Sequence, residues 1–207
     1  MRLPSILTSL AALCGVVLLL PAPLLATVMV RVSLEDMARD ADAIVHAQVE
    51  RSDTQMRLRE GAMEPQTVST LSVRRWLKGQ GGERLTIREL GYEAQGEGQW
   101  ISGTPRYRAG EEVFVFLRHD PETPGAYRTY GMAQGKFVLL RGVPGTTSVL
   151  RRDLAGLGFA TWSAGQMQVE EAAALGSIEL PVFLGRVRAA LALDGLELDL
   201  LETAGGF

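Results

Sequence analysis

The chain has no asparagine, one cysteine and two histidines in 207 residues. Without asparagine there is no acceptor for N-linked glycans. Cys14 lies in an apolar stretch near the amino terminus, so the remainder of the chain has no thiol for a disulfide or a thiolate metal site. His46 and His119 are too far apart in sequence for the local spacing of a metal-binding pair, and neither a metal nor a cofactor is expected. Charge is missing from one long stretch: no charged residue occurs between Arg2 and Arg31.

That stretch has the order of an export signal. Arg2 is followed by an apolar run, aliphatic without interruption over residues 16–20, and then by Pro21 and Pro23, which break a helix. Ala26 supplies the small residue before a peptidase cut. Residues 1–26 are therefore read as a secretory signal cleaved after Ala26, and the protein as secreted or periplasmic. Leu13, bulky and directly before Cys14, argues against lipid attachment at that cysteine. The uncharged stretch is also long enough to span a bilayer, so an uncleaved anchor is the alternative, and membrane contact is expected only in that case.

What remains from Thr27 onward is long enough for one domain to bury about 70% of its unfolded surface, which answers for the absent disulfides. The formal charge is −3, without long runs of either sign. The best basic cluster, Arg74, Arg75 and Lys78, is short, and no nucleic-acid partner is expected.

Periodicity divides the chain. Val28, Val30 and Val32 alternate as a strand, and Ser33 is placed to cap a helix with Leu34, Met37, Ala38 and Ala41 on its apolar side. Residues 43–50 switch to period two, with His46 on the more polar side. Residues 51–66 read as a polar hairpin-like excursion, and 67–76 and 84–90 as strands around a glycine turn. Residues 111–118 are apolar on both faces, the mark of a covered central strand. Residues 127–132 and 136–141 read as a hairpin turning at Gln134 and Gly135, with a further short strand at 147–151. Pro181 then opens a helix with the stripe Phe183, Leu184, Val187, Ala190 and Leu191. The expected fold is mainly β: a small antiparallel barrel over 27–151 with a short N-terminal helix, a C-terminal helical extension over 152–195 packed on it, and a tail at 196–207. In that tail Leu196, Leu198 and Leu200 alternate with Glu197 and Asp199, a pattern that suits an edge strand or a frayed end.

Catalytic patterns are missing. Ser163 stands in Thr161-Trp162-Ser163-Ala164-Gly165, without the first glycine of a nucleophile elbow. Gly135 and Lys136 are followed by Phe137 rather than by the hydroxyl a phosphate loop requires. His119 beside Asp120 reads as loop chemistry. No catalytic residue is expected. Recognition is best sought in the glycine-rich loop 91–108, where Trp100, Arg106 and Tyr107 are the candidate binding residues; the alternative is that Trp100 and Tyr107 pack on the barrel.

Three segments in order, the helix with residues 41–49, residues 67–79 ending in Leu77-Lys78-Gly79, and residues 109–117 with Gly110 and Glu111, resemble the netrin-module group, an oligonucleotide-binding-type barrel of secreted proteins that includes inhibitors of metalloproteases. The order is similar, too, to uncharacterised secreted bacterial proteins. The likeness spans 32–141. It implies the barrel, but the zinc-chelating amino-terminal cysteine of those inhibitors has no counterpart after Ala26. The expectation is an exported binding or structural module for a protein or envelope component, with an inhibitor of an exported protease as one alternative and a small hydrolase built around His119, Asp120 and a distant serine as another.

Overall fold

The computed structural model describes residues 27–59, 61–94, 97–143, 145–163, 166–172 and 175–193. The expected signal, its cut after Ala26 and the tail at 196–207 lie outside the described residues.

Strand β1 (Thr27–Val30) leads into helix α1 (Leu34–Asp40), where the Ser33 side chain accepts from the Asp36 amide as an N-cap should. Two strands of 17 residues follow, β2 (Ala43–Arg59) and β3 (Ala62–Lys78), and then β4 (Arg84–Leu90). A small hairpin, β5 (Tyr92–Ala94) and β6 (Glu97–Gln99), opens the long connection to β7 (Glu112–His119), beside which β8 (Ala126–Thr129) returns.

Strands β7, β2, β3, β4 and β8 neighbour one another in that order, and β8 pairs back onto β7 through Leu117↔Thr129, Arg118↔Arg128 and His119↔Tyr127. The ring is antiparallel except for a short parallel contact, Thr86↔Ala126 and Ile87↔Tyr127. It is a small, partly closed barrel of the oligonucleotide-binding type, as expected. Its interior is filled by Val45, Val49, Leu71, Ile87, Val113, Val115 and their neighbours.

The two-faced strand at 112–119 follows from this arrangement. Val113, Val115 and Leu117 point into the barrel, while Phe114 and Phe116 point outward beneath the helices. The opposite edge of β7 is shared end to end. Its last residues hold β8, and Val113, Phe114 and Val115 hold β9 (Lys136–Leu140), which continues the sheet to β10 (Val149–Asp153). Strands β8 and β9 are therefore not the hairpin that Gln134 and Gly135 suggest. A 3-10 turn, Met132–Gly135, moves the chain along one edge, and the buried Gln134 side chain bonds Val30 O and Val32 N, both at 3.0 Å, fixing the end of β1.

Residues 152–195, expected to be a helical extension, carry three strands before their helix: β11 (Leu157–Ser163), β12 (Gln166–Glu171) and β13 (Leu175–Glu179). Strands β1, β11 and β12 form a separate sheet, and β13 extends the large one beside β10. Helix α2 (Leu180–Leu193) then lays Phe183, Val187, Ala190 and Leu191 with α1 over the outer face of the barrel. The Phe183 ring meets Phe114, Phe116 and Phe137 at centroid distances of 5.3, 6.1 and 5.0 Å.

Candidate functional site

The strands β2 and β3 outrun their neighbours. Strand β7 leaves β2 at Gln48, and β4 leaves β3 at Thr67, yet β2 and β3 stay paired to Arg59↔Ala62. At the point of departure Glu50 is an extra residue, since Val49 pairs with Leu71 and Arg51 with Thr70. A bulge of this kind bends a strand and reverses its alternation. Beyond it the ribbon presents Met56 opposite Pro65 and Leu58 opposite Met63 on one face. Met56, Leu58 and Met63 are 56%, 67% and 58% exposed, so that face is uncovered. The polar excursion expected at 51–66 is this two-stranded arm.

At the base of the arm lies a cleft of about 250 Å³, bounded by Arg57, Gln66, Glu89, Glu122, Arg128 and Thr129. Arg57 reaches from the arm to Glu122 of the β7–β8 turn at 2.6 Å, so the two loops that flank the ligand face in barrels of this type are tied together. Arg128 pairs with Glu122 and with Asp120, whose side chain is completely buried and whose Oδ2 has no hydrogen-bond partner among the described residues.

Glu89 lies in the wall of this cleft. Its Oε1 accepts from the Thr129 amide at 2.9 Å and from the Thr129 hydroxyl, which in turn receives the Tyr107 hydroxyl at 2.6 Å. Burial pushes its carboxyl up to about 7, against the Thr129 hydrogen bonds and the Arg128 charge, which favour the carboxylate; Asp120 adds to the rise. Burial and the Glu89 charge together hold the Tyr107 phenol well above its ordinary range.

The three loop residues singled out from the sequence separate here. Tyr107 is 4% exposed and belongs to the barrel interior, with the Lys136 ammonium 4.8 Å from its ring centre. Trp100 and Arg106 stay on the rim, the guanidinium 4.7 Å above the indole ring while the indole N–H donates to Thr104 O at 3.1 Å. Both line a second cleft of about 400 Å³ with Arg108, Lys136 and Arg151. Lys136 is itself buried and is held by Glu111 and by Arg106 O. Tyr107→Phe is expected to cost about 1 kcal/mol in a denaturant melt, the loss of one buried hydrogen bond with the ring packing retained.

The histidines have separate surroundings. His46, expected on a polar strand face, is buried, because that face lies under the helices; its Nε2 is 2.7 Å from Glu112 and its ring stacks on Phe114 at 4.5 Å. Burial lowers its pKa, outweighing the Glu112 carboxylate. His119 is exposed and stacks on Tyr127 at 4.8 Å. His46 pairs with Phe114, five residues before His119 on β7, which separates the two by roughly 17 Å. Ser163 ends β11, in the other sheet. Among the described residues no three His, Cys, Asp or Glu side chains gather as metal ligands, and no helix is long and apolar enough to cross a membrane.

No model of a known protein family matches the chain, and no curated protein shows significant sequence similarity to it.

Proposed function

We propose that this chain is an exported, non-enzymatic binding module that engages a protein or envelope component through the β2–β3 arm and the cleft at its base. The observation that carries the reading is the uncovered face of Met56, Leu58 and Met63 on a ribbon that projects past the barrel. A lone two-stranded ribbon is marginal in water, and exposing its apolar residues brings no folding benefit. Methionine side chains adapt to irregular surfaces and suit a contact of this kind. The Arg57 to Glu122 bridge supports the reading because it ties the arm to the β7–β8 turn, on the side where barrels of this architecture take ligands. Export is supported by the sequence of residues 1–26.

The test is affinity capture from the envelope and medium of the producing cell, with the unaltered protein and a Leu58→Asp, Met63→Asp variant as parallel baits. Both positions are exposed, so the variant is expected to melt within about 0.5 kcal/mol of the parent while losing the captured partner. Equal capture by both baits would refute the arm as the contact surface.

A further inference from the structure

On the helix-covered side of the molecule, a cleft of about 770 Å³ opens between the large sheet, the start of α1 and α2, and the edge of the small sheet. It shares no lining residue with the cleft beneath the arm. Phe137, Phe159 and Ile178 give it an apolar wall, and three arginines face it: Arg31, Arg152 and Arg186.

The three guanidinium groups differ in their partners. Arg31 pairs with Glu170 at 3.4 Å, and Arg186 holds Glu35 with two bonds of 2.6 and 2.8 Å. Asp36, the acid on the cleft wall, is taken by Arg39 and by the Ser33 hydroxyl. Arg152, on β10 opposite Gly176, has no ion pair among the described residues; its guanidinium rests on the Phe137 ring, 5.0 Å from the centroid. Burial, with Arg31 and Arg186 adding like charge, lowers its pKa. A half-buried cation with no counter-charge is unfavourable in the folded protein, and a group that neutralises it from the cleft would remove that cost.

We infer that this cleft is a binding site for a monoanionic carboxylate carried on an aliphatic chain, the carboxylate taking the unpaired Arg152 guanidinium and the chain lying along the Phe137, Phe159 and Ile178 walls. One uncompensated charge calls for one negative charge, which favours a carboxylate over a phosphate. The planar guanidinium presents paired donors that match a carboxylate's two oxygens. A cleft of this volume with an apolar wall and a few polar groups, of which the Arg152 guanidinium lacks an ion pair among the described residues, has the form of a small-molecule site.

Dodecanoate, below its micelle concentration, is the probe, titrated calorimetrically into the exported protein with dodecanol as the uncharged counterpart. Dodecanoate is expected to bind at least tenfold more tightly than dodecanol. Arg152→Met, which keeps the aliphatic stem, should weaken dodecanoate at least tenfold and leave dodecanol unchanged. Arg152→Lys, which keeps the charge and loses the planar fork, should fall between and serves as the test if the Met variant does not fold. Arg108→Met, in the other cleft, should bind as the parent does. No binding at millimolar dodecanoate, equal binding of dodecanol, or an Arg152 variant with parental affinity would each overturn the assignment.

Discussion

Phe183→Ala is expected to lower the unfolding free energy by about 3–5 kcal/mol, read as the shift in a urea or thermal transition. The ring is wholly buried and touches three other phenylalanines, two on β7 and one on β9, so its removal leaves a cavity walled by strands of the large sheet. Those walls can relax only by moving strands fixed by their own ladders, and the cost falls at the upper end for a deleted aromatic. Val182→Ala, one residue earlier on the exposed side, is expected to change stability by less than about 0.5 kcal/mol. The form of the transition matters as well as its position. If α2 belongs to the same cooperative unit as the barrel, Phe183→Ala shifts one transition with unchanged steepness; a helix docked as an appendage would give a second transition ahead of the first.

Glu89 gives the second large effect, and it depends on pH. Its folded pKa of about 7 stands above the ordinary 4.5, so between these values the folded chain holds a proton that the unfolded chain releases. The stabilisation from this group is full below about pH 4.5 and is lost as the pH rises through about 7. Glu89→Gln keeps an oxygen for the Thr129 donors and cannot ionise. Relative to the parent, the variant should therefore gain about 3 kcal/mol on going from pH 4.5 to pH 8, a difference that separates Glu89 from every other titrating group. A flat difference profile would show that Glu89 titrates alike in both states. Glu35 and Glu112 act in the opposite sense: their carboxyls are held below the ordinary value, largely through hydrogen bonds to Arg186 and to Arg141 and His46 that outweigh burial, and they lose stabilisation on acidification in parent and variant alike.

The elements legible in the sequence were those whose pattern is local. Ser33 and the apolar spacing after it define α1, the doubled apolar pattern of 112–119 defines a strand covered on both faces, and Pro181 with Phe183, Val187 and Leu191 defines α2. Features set by long-range partners were not legible. His46 alternates with Gln48 and Glu50 along β2, but its face of the strand is covered by α1 and by α2, which comes from the far end of the chain. Nothing near Gln134 announces that its amide will bond a strand about a hundred residues earlier. In β2 the bulge at Glu50 reverses the alternation, so a 17-residue strand reads as a short strand followed by polar chain, and the exposed arm face disappears as a pattern. Strands β11 and β13 each contain a glycine, and pairings such as Thr27↔Leu157 and Val149↔Glu179 join distant segments, while β12 pairs with β11 as a hairpin. Of the loop residues Trp100, Arg106 and Tyr107, composition identified the loop but could not say that Tyr107 turns inward to Thr129.

A photo-crosslinking residue placed at Met63 and, as a control, at Val143, which is 69% exposed on the β9–β10 turn, tests the proposed contact surface most directly. After irradiation of the producing cell, the arm position is expected to yield a discrete adduct and the control position none. Adducts of equal yield at both positions, or none at Met63, would contradict the assignment of the β2–β3 arm as the contact surface.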